Sequence, residues 1–231
     1  MKKKSYVIIG LGTFGSSIAR ELAAKGEQVL VIDKDEEKVQ EIIDAVTQAI
    51  VADATDEKSL KSLDIADTDY AIVSIGDNME ASIMITLLLK ELGVKNIIAK
   101  GLNQLHGKVL ARVGADRIVF PESEMAEKLV HSLLSPNILE EIYLSSDYNM
   151  IELVAPKKFI GKNLKDIDLR AKYNVILIGK KTHVPVVTDE GESDWEETLS
   201  IAPNPDEEIN EGDVLIVIGS NEKLNKLKEE K

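Results

Sequence analysis

The chain has 231 residues, of which 30% are charged and 44% hydrophobic, a composition typical of a globular protein with one large or two small domains. The formal net charge of -13 argues against nucleic acid as a partner, because neutralising phosphates requires clustered Lys and Arg. The lack of cysteine excludes disulfides, iron–sulfur clusters, thiolate zinc sites and cysteine nucleophiles. No apolar run is long enough for a signal peptide or a membrane helix, so we expect a cytoplasmic protein.

The first pattern in the chain is an apolar segment, residues 6–9, that runs directly into a glycine-rich turn. Gly10, Gly12 and Gly15 have the spacing G-x-G-x-x-G, and a helical pattern begins at once. Gly10 permits a tight turn, Gly12 lets a pyrophosphate approach the backbone, and Gly15 lets the helix pack closely on the strand. The free amides at the start of that helix would face the phosphates.

A second predicted strand, residues 28–33, ends in Asp33, 21 residues after Gly12. A carboxylate at this point accepts hydrogen bonds from both hydroxyls of a ribose. It also repels a 2′-phosphate, so NADP is disfavoured. The positive charge of the neighbouring Lys34 reduces this repulsion. The joint pattern predicts a nucleotide site, and the alternative is a βα turn in a doubly wound domain without a ligand.

The first half of the chain alternates predicted strands with predicted helices, which indicates an α/β fold with a Rossmann-type, doubly wound parallel sheet. We predict strands at 5–10, 28–33, 48–52, 69–75, 96–100 and 117–120, and helices at 13–25, 35–45, 56–63, 79–92 and 103–113. Six strands with five crossovers complete such a sheet, so residues 1–121 are predicted to form one domain.

Polar turns follow the third and fourth predicted strands, at residues 53–56 and 74–78. Ligands of open α/β sheets lie beyond the carboxyl ends of the strands, so both turns are expected to flank an adenosine. Asp53 and Asp56 could instead cap the next helix, and the two roles are compatible.

Two helical segments carry more apolar surface than packing on a single sheet would bury. The helix predicted at 79–92 is apolar nearly all round, which favours a subunit contact or a position beneath a neighbouring helix. A helix after Pro121 has a stripe of Met125, Leu129 and Leu133, and we expect it to cross to a partner subunit. Residues 122–146, which include the apolar segment 138–144, are therefore predicted to be a crossover helix and linker.

Residues 147–231 are predicted to form a small α+β domain without a phosphate loop. Strand patterns lie at 150–154, 175–179, 184–187 and 214–218, and a helical pattern lies at 221–230. Eleven Asp or Glu residues between Asp189 and Asp213 are interpreted as a solvated loop rather than a cation site.

Taken together, these segments resemble the RCK family, specifically the KtrA and TrkA cytoplasmic subunits of bacterial potassium uptake systems. The resemblance rests on residues 9–15 with Asp33, and on 52–55, 87–92, 113–122 and 169–174. It implies an RCK-N domain, a crossover helix and an RCK-C domain, with homodimers assembled into an octameric ring. The ring would attach to the inner face of the membrane through a potassium-translocating subunit on a separate chain.

The resemblance also implies which residues hold ATP, ADP, NAD or NADH. They are Gly10, Gly12, Thr13, Phe14, Gly15, Asp33, Lys34, Asp53, Ala54, Thr55, Ile75, Gly76, Lys100 and Glu122. Thr13 stands where many relatives have Arg. Because a hydroxyl cannot bring a charge to a terminal phosphate, NAD or NADH is an alternative to ATP as the ligand. Glu122 matches a cation-assisted contact and implies a divalent cation, and the alternative is a charge that complements the helix dipole.

In the second domain, Arg170, Ala171 and Asn174 resemble residues that hold cyclic di-AMP in some relatives. The alternative for Arg170 is an ion pair with a neighbouring carboxylate. We therefore expect a non-enzymatic subunit whose ligands control potassium uptake by changing the conformation of the ring. An NAD-dependent oxidoreductase and a stand-alone nucleotide sensor are the alternatives, but His106, His131 and His183 are scattered without a partner at catalytic spacing.

Overall fold

The structure is a computed structural model that describes residues 3–187 and 193–230. It divides into two compact units, Met1–Met125 and Ala126–Lys231. Helix α6 (Pro121–Leu134) spans this division. Within the described ranges, no helix combines the length and the apolar character that a membrane crossing requires.

The first unit contains a six-stranded parallel sheet with the strand order β3-β2-β1-β4-β5-β6. Its elements are β1 (Ser5–Ile9), α1 (Thr13–Ala24), β2 (Gln28–Asp33), α2 (Glu36–Gln40), β3 (Gln48–Val51), α3 (Glu57–Ser62), β4 (Tyr70–Val73), α4 (Met79–Glu91), β5 (Ile97–Lys100), α5 (Gln104–Val113) and β6 (Arg117–Val119). Short 3-10 helices lie at Ile43–Ala45 and Ile65–Asp67. The predicted Rossmann fold is thus confirmed.

Both faces of this sheet are buried, as near-continuous apolar strands require. Successive side chains of β1 point to opposite faces, so Val7 and Ile9 join one core cluster while Ile8 joins the other. Helix α4 contributes Ile85 and Leu89 to the first cluster. The turns at the carboxyl ends of its strands therefore extend from a sheet that is packed on both faces.

Helix α4 is partly buried within the first unit and partly exposed. Ile85 and Leu89 are fully buried, whereas Met84 is 47% and Leu87 41% exposed. The helix packs on α5, which agrees with a position beside a neighbouring helix, and the subunit contact stays a prediction for the exposed Met84 and Leu87.

The second unit contains a five-stranded antiparallel sheet with the order β10-β9-β11-β8-β7. Its strands are β7 (Ile138–Tyr143), β8 (Tyr148–Val154), β9 (Ile176–Val187), β10 (Ser193–Ile201) and β11 (Val214–Ser220), and its helices are α7 (Leu164–Ile167), α8 (Leu169–Tyr173) and α9 (Asn221–Lys228), with a 3-10 turn at Lys157–Phe159. Strand residues such as Ile151 and Val217 form one core with Leu169 and Leu227 of the helices. The α+β prediction is confirmed.

Three details of this unit were predicted wrongly. The segment 138–144, assigned to a linker, is mainly the edge strand β7, which pairs antiparallel with β8. The strands predicted at 175–179 and 184–187 are one continuous strand, β9, and His183 lies within it rather than on a turn. The polar residues that interrupt the apolar pattern include Lys180, which is buried and paired with carboxylates.

The acidic stretch from residue 189 to residue 213 is not simply a solvated loop. Ser193–Ile201 forms β10, which pairs along its whole length with β9. Residues 188–192 lie outside the described residues. Strand β10 is at the edge of the sheet, where charged side chains are tolerated because one side of the strand faces solvent.

Candidate nucleotide-binding site

A cleft of about 480 Å³ lies at the carboxyl ends of the strands of the first unit. The turns after β1, β2, β3 and β4 and the end of β5 contribute to its walls. The lining residues are Ile9, Gly10, Gly12, Ile32, Asp33, Lys34, Lys38, Ala52, Asp53, Ala54, Thr55, Ser74, Ile75, Gly76, Asp77, Asn78, Ala81, Ile85 and Lys100. This is the edge at which open α/β sheets bind ligands.

The three glycines of the turn meet different steric demands. Gly10 has φ +98°, a left-handed conformation that other residues rarely adopt. A Cβ placed on Gly15 would lie 2.0 Å from the carbonyl oxygen of Gly10, so α1 can pack on the turn only without a side chain there. A Cβ on Gly12 would meet no described atom within 4 Å. Gly12 is therefore not required for packing, and the space beside it is open to the cleft.

The N-terminus of α1 differs from those of the next four helices. Side chains of Asp35, Asp56, Asn78 and Asn103 accept hydrogen bonds from the first-turn amides of α2 to α5. Helix α1 begins at Thr13, directly after Gly12, with no side-chain cap from the described residues and no acidic residue in its first turn. Its free amides and the positive end of its dipole favour an anion in the cleft.

Asp33 holds the glycine turn in place. Its Oδ2 accepts a hydrogen bond of 2.5 Å from the backbone amide of Leu11, and its Oδ1 accepts one of 2.9 Å from the amide of Asp35. A carboxylate has about four acceptor positions, so each oxygen keeps capacity for a hydroxyl donor. Asp33 can therefore support the turn and bind a ribose at the same time.

The two aspartates after β3 have separate roles. The Oδ1 of Asp53 accepts hydrogen bonds from the Thr55 hydroxyl at 2.7 Å and the Thr55 amide at 2.9 Å. These bonds hold the pKa of Asp53 below its usual value, and the carboxylate stays ionised in the wall of the cleft. Asp56 caps α3 by accepting a hydrogen bond from the Ser59 amide. Of the two roles considered for Asp56, capping the next helix therefore applies, and flanking the ligand does not.

Lys100 and Glu122 form an ion pair beside the cleft. The Nζ of Lys100 donates to Oε1 of Glu122, and this bond lowers the pKa of Glu122. The Lys100 side chain is only 11% exposed and lines the cleft, whereas that of Glu122 is 70% exposed. Within the described part of the chain, no group of three or more His, Asp or Glu side chains is placed to hold a metal ion.

Ten of the fourteen residues expected from the sequence line the cleft, while Thr13, Phe14, Gly15 and Glu122 do not. Gly15 lies against the Gly10 carbonyl oxygen of the turn, and Glu122 is bonded to Lys100, which lines the cleft. Among the residues that sequence reasoning missed is Lys38, which lies on α2 just after the turn that carries Asp33 and Lys34.

The second unit contains a separate cavity of about 600 Å³ lined in part by Arg170, Asp168 and Pro203. Of the three residues predicted to contact a ligand in this unit (Arg170, Ala171 and Asn174), only Arg170 lines the cavity. Ala171 donates its amide to the Asp168 carboxylate, and Asn174 ends α8 with φ 54°. No described carboxylate forms an ion pair with Arg170, so the alternative interpretation of this residue does not apply there.

The described histidine side chains have partners or surroundings of their own. His106 is 2% exposed, its Nδ1 accepts from the Leu102 amide, and burial lowers its pKa. His131 contacts the hydroxyl of Tyr143 in the second unit. The side chain of His183 lies outside the described part of the structure. Neither His106 nor His131 is among the residues that line the cleft.

The chain thus belongs to a class of two-domain proteins in which a Rossmann unit with an open glycine turn is followed by a small antiparallel-sheet unit. The family model described as TrkA-N domain matches residues 6–121, and the chain belongs to this family. The chain is 41% identical to the Ktr system potassium uptake protein C of Bacillus subtilis, over 94% of this chain and 93% of the relative. It is 39% identical to the Ktr system potassium uptake protein A of the same organism, over 100% and 98%.

Two solved structures have the same architecture in whole or in part. The GsuK RCK domain matches 98% of this chain and 47% of its own, with a TM-score of 0.63 and 18% identity. The NAD(P)-binding domain of an exopolyphosphatase-related protein from Archaeoglobus fulgidus matches 57% of this chain and 98% of its own, with a TM-score of 0.51 and 25% identity. The predicted RCK relationship is confirmed.

Proposed function

We propose that this chain is a nucleotide-binding regulatory subunit that gates a potassium channel or transporter carried on a separate membrane chain. The observation that carries the proposal is the open cleft beside Gly12, at the one uncapped helix start among α1 to α5. Relatives that match nearly the full chain are potassium uptake proteins, which supports this role. The chain would act at the cytoplasmic face of the membrane through its partner.

The ligand is an adenine nucleotide, either ATP or ADP or the dinucleotide NAD or NADH. Asp33 would bind the ribose hydroxyls, and the turn of Asp53, Ala54 and Thr55 would flank the adenine. Phosphates would lie over Gly12 against the free amides of α1. The match to an NAD(P)-binding domain at 25% identity supports a nucleotide of this class.

Gating requires that the ligand bind the two conformations of an assembly with different affinities, because a ligand with equal affinity shifts no equilibrium. We propose homodimers assembled into an octameric ring. Exposed apolar side chains on α6, including Leu129, Leu133 and Leu134, support an assembly of several chains. Nucleotide binding would alter the ring and thereby pull on or release the membrane subunit.

Two further ligands are part of the proposal. A divalent cation would bind at Glu122 with ligands supplied by the nucleotide or a second chain. Cyclic di-AMP would bind in the second unit, where Arg170 lines a cavity and its planar guanidinium suits a phosphate. Ala171 and Asn174, which adjoin Arg170 on α8 and at its end, would complete that site.

The experiment reconstitutes the membrane partner in liposomes with the chain and measures potassium flux against nucleotide concentration. Gly12→Val fills the open space beside the cleft, so nucleotide binding by calorimetry and the flux response should both be lost. Ser17→Val places the same side chain on an exposed position of α1 outside the cleft and should leave both unchanged. Turnover of carbonyl compounds with NADH, or a flux that ignores every adenine nucleotide, would reject the proposal.

A further inference from the structure

The start of α5 is closed by two reciprocal hydrogen bonds between side chains and backbone. The Asn103 side chain accepts a hydrogen bond of 2.9 Å from the His106 amide, and Nδ1 of His106 accepts one of 3.2 Å from the Leu102 amide. In an ordinary capping box, Glu or Gln at this third helical position reaches back to an amide at the start of the helix. Here an imidazole, which can titrate near neutral pH, takes that role.

The bond from Leu102 fixes the protonation state of His106. An imidazole nitrogen that accepts a hydrogen bond carries no proton, so the single ring hydrogen is on Nε2. Nε2 is buried without a hydrogen-bond partner among the described residues, and His106 is only 2% exposed. A proton on Nδ1 would remove the acceptor of the Leu102 amide and would place a charge out of reach of water.

Among the described residues, no charge offsets that cost. Helix α5 packs on α4 and β6, and the pKa of His106 is lowered by burial. The charged side chains of α5 itself, of these two elements and of β5 do not contribute to this shift; they are Glu80, Lys90, Glu91, Lys100, Lys108, Arg112 and Arg117. The closed turn therefore holds His106 neutral at a pH at which an exposed imidazole is already protonated.

The residues on either side of this bond carry exposed apolar surface. Leu102 is 39% and Leu105 72% exposed. The first turn of α5 is also closely packed, because a Cβ placed on Gly107 would lie 2.7 Å from the ring of Phe120. Loss of the bond at Leu102 would therefore change an apolar part of the surface of the first unit.

We propose that His106 is a proton-sensitive latch on the start of α5. The neutral imidazole closes the turn between β5 and α5 through the Leu102 amide. In the open turn the imidazole is exposed and protonated, and Leu102 and Leu105 leave their closed arrangement. The open turn binds more protons, so the closed turn is fully favoured above about pH 6.5 and loses this advantage as the pH falls below it. The latch requires no ligand in the cleft and is independent of the proposed nucleotide function.

The test measures hydrogen exchange of the Leu102 amide by NMR on the full chain, from about pH 7.5 to about pH 5.5, corrected for the intrinsic exchange rate. We expect the opening equilibrium to rise about tenfold over this range, since the opened imidazole titrates at about pH 6.5. His106→Gln keeps an acceptor that does not titrate, so its opening should change less than about twofold. His131→Gln removes an exposed histidine of α6 and should keep the wild-type profile.

The amide of Gly114, which donates to the Leu110 carbonyl at the other end of α5, is a control within the wild-type chain. This comparison remains decisive if His106→Gln does not fold. A rise at Leu102 that Gly114 does not share supports the latch. An equal rise at Gly114, a Leu102 amide that opens no more at acid pH, or a wild-type profile in His106→Gln would overturn it.

Discussion

At the scale of single residues, Gly15 has no room for a side chain, whereas Gly12 has open space beside it. A methyl group on Gly15 would lie 2.0 Å from a backbone oxygen, so Gly15→Ala should lower the free energy of unfolding by about 3 kcal/mol. Gly12→Ala meets open space and should cost less than about 1 kcal/mol. Denaturant unfolding of both variants measures the difference, and similar losses would show that the turn is not packed as described.

Some residues of the site were accessible to sequence reasoning because their signals are local. The glycine turn and Asp33 follow from spacing along the chain, and the turns after β3 and β4 follow from the ends of apolar runs. The pairing of Lys100 with Glu122 was not predicted, since these residues are 22 positions apart and meet only because of how β5 and α6 are placed in the fold.

At the scale of elements, the parallel sheet was predicted well and the antiparallel sheet less so. Each strand of the first unit is an apolar run beside its own helix. In the second unit, β7 and β10 are edge strands that carry many polar residues, and only their pairing with β8 and β9 identifies them. The long strand β9 was divided in two because buried Lys180 resembles a loop residue in the sequence.

Lys180 provides a test of how the second unit is held together. Its Nζ is bonded to the Glu208 carbonyl at 3.0 Å and lies 3.5 Å from the Asp213 carboxylate, which is 1% exposed. Lys180→Met leaves that carboxylate buried without its cation, so we expect a loss of about 3 kcal/mol in the free energy of unfolding. Lys181→Met, next to it on β9, should cost about 1 kcal/mol or less. Chemical denaturation compares the two, and equal losses would contradict a special role for Lys180.

At the scale of the whole molecule, the exposed apolar side chains of α6 predict an assembly of several chains. Leu133 is 69% and Leu134 77% exposed. Leu133→Glu should therefore lower the mass observed by analytical ultracentrifugation while the melting temperature of each unit is kept. Ser132→Glu adds the same charge at the preceding exposed position and serves as the control. A wild-type chain that sediments as a monomer would contradict the prediction.

Asp33 accepts hydrogen bonds from two backbone amides, and this affects how its side chain could be exchanged by engineering. In many Rossmann proteins, exchanging the acid after the second strand is a route to a preference for a 2′-phosphate. Here the same carboxylate fastens Leu11 and Asp35, so any such exchange also loosens the glycine turn. Redesign of the preferred coenzyme would have to begin by rebuilding the support of that turn.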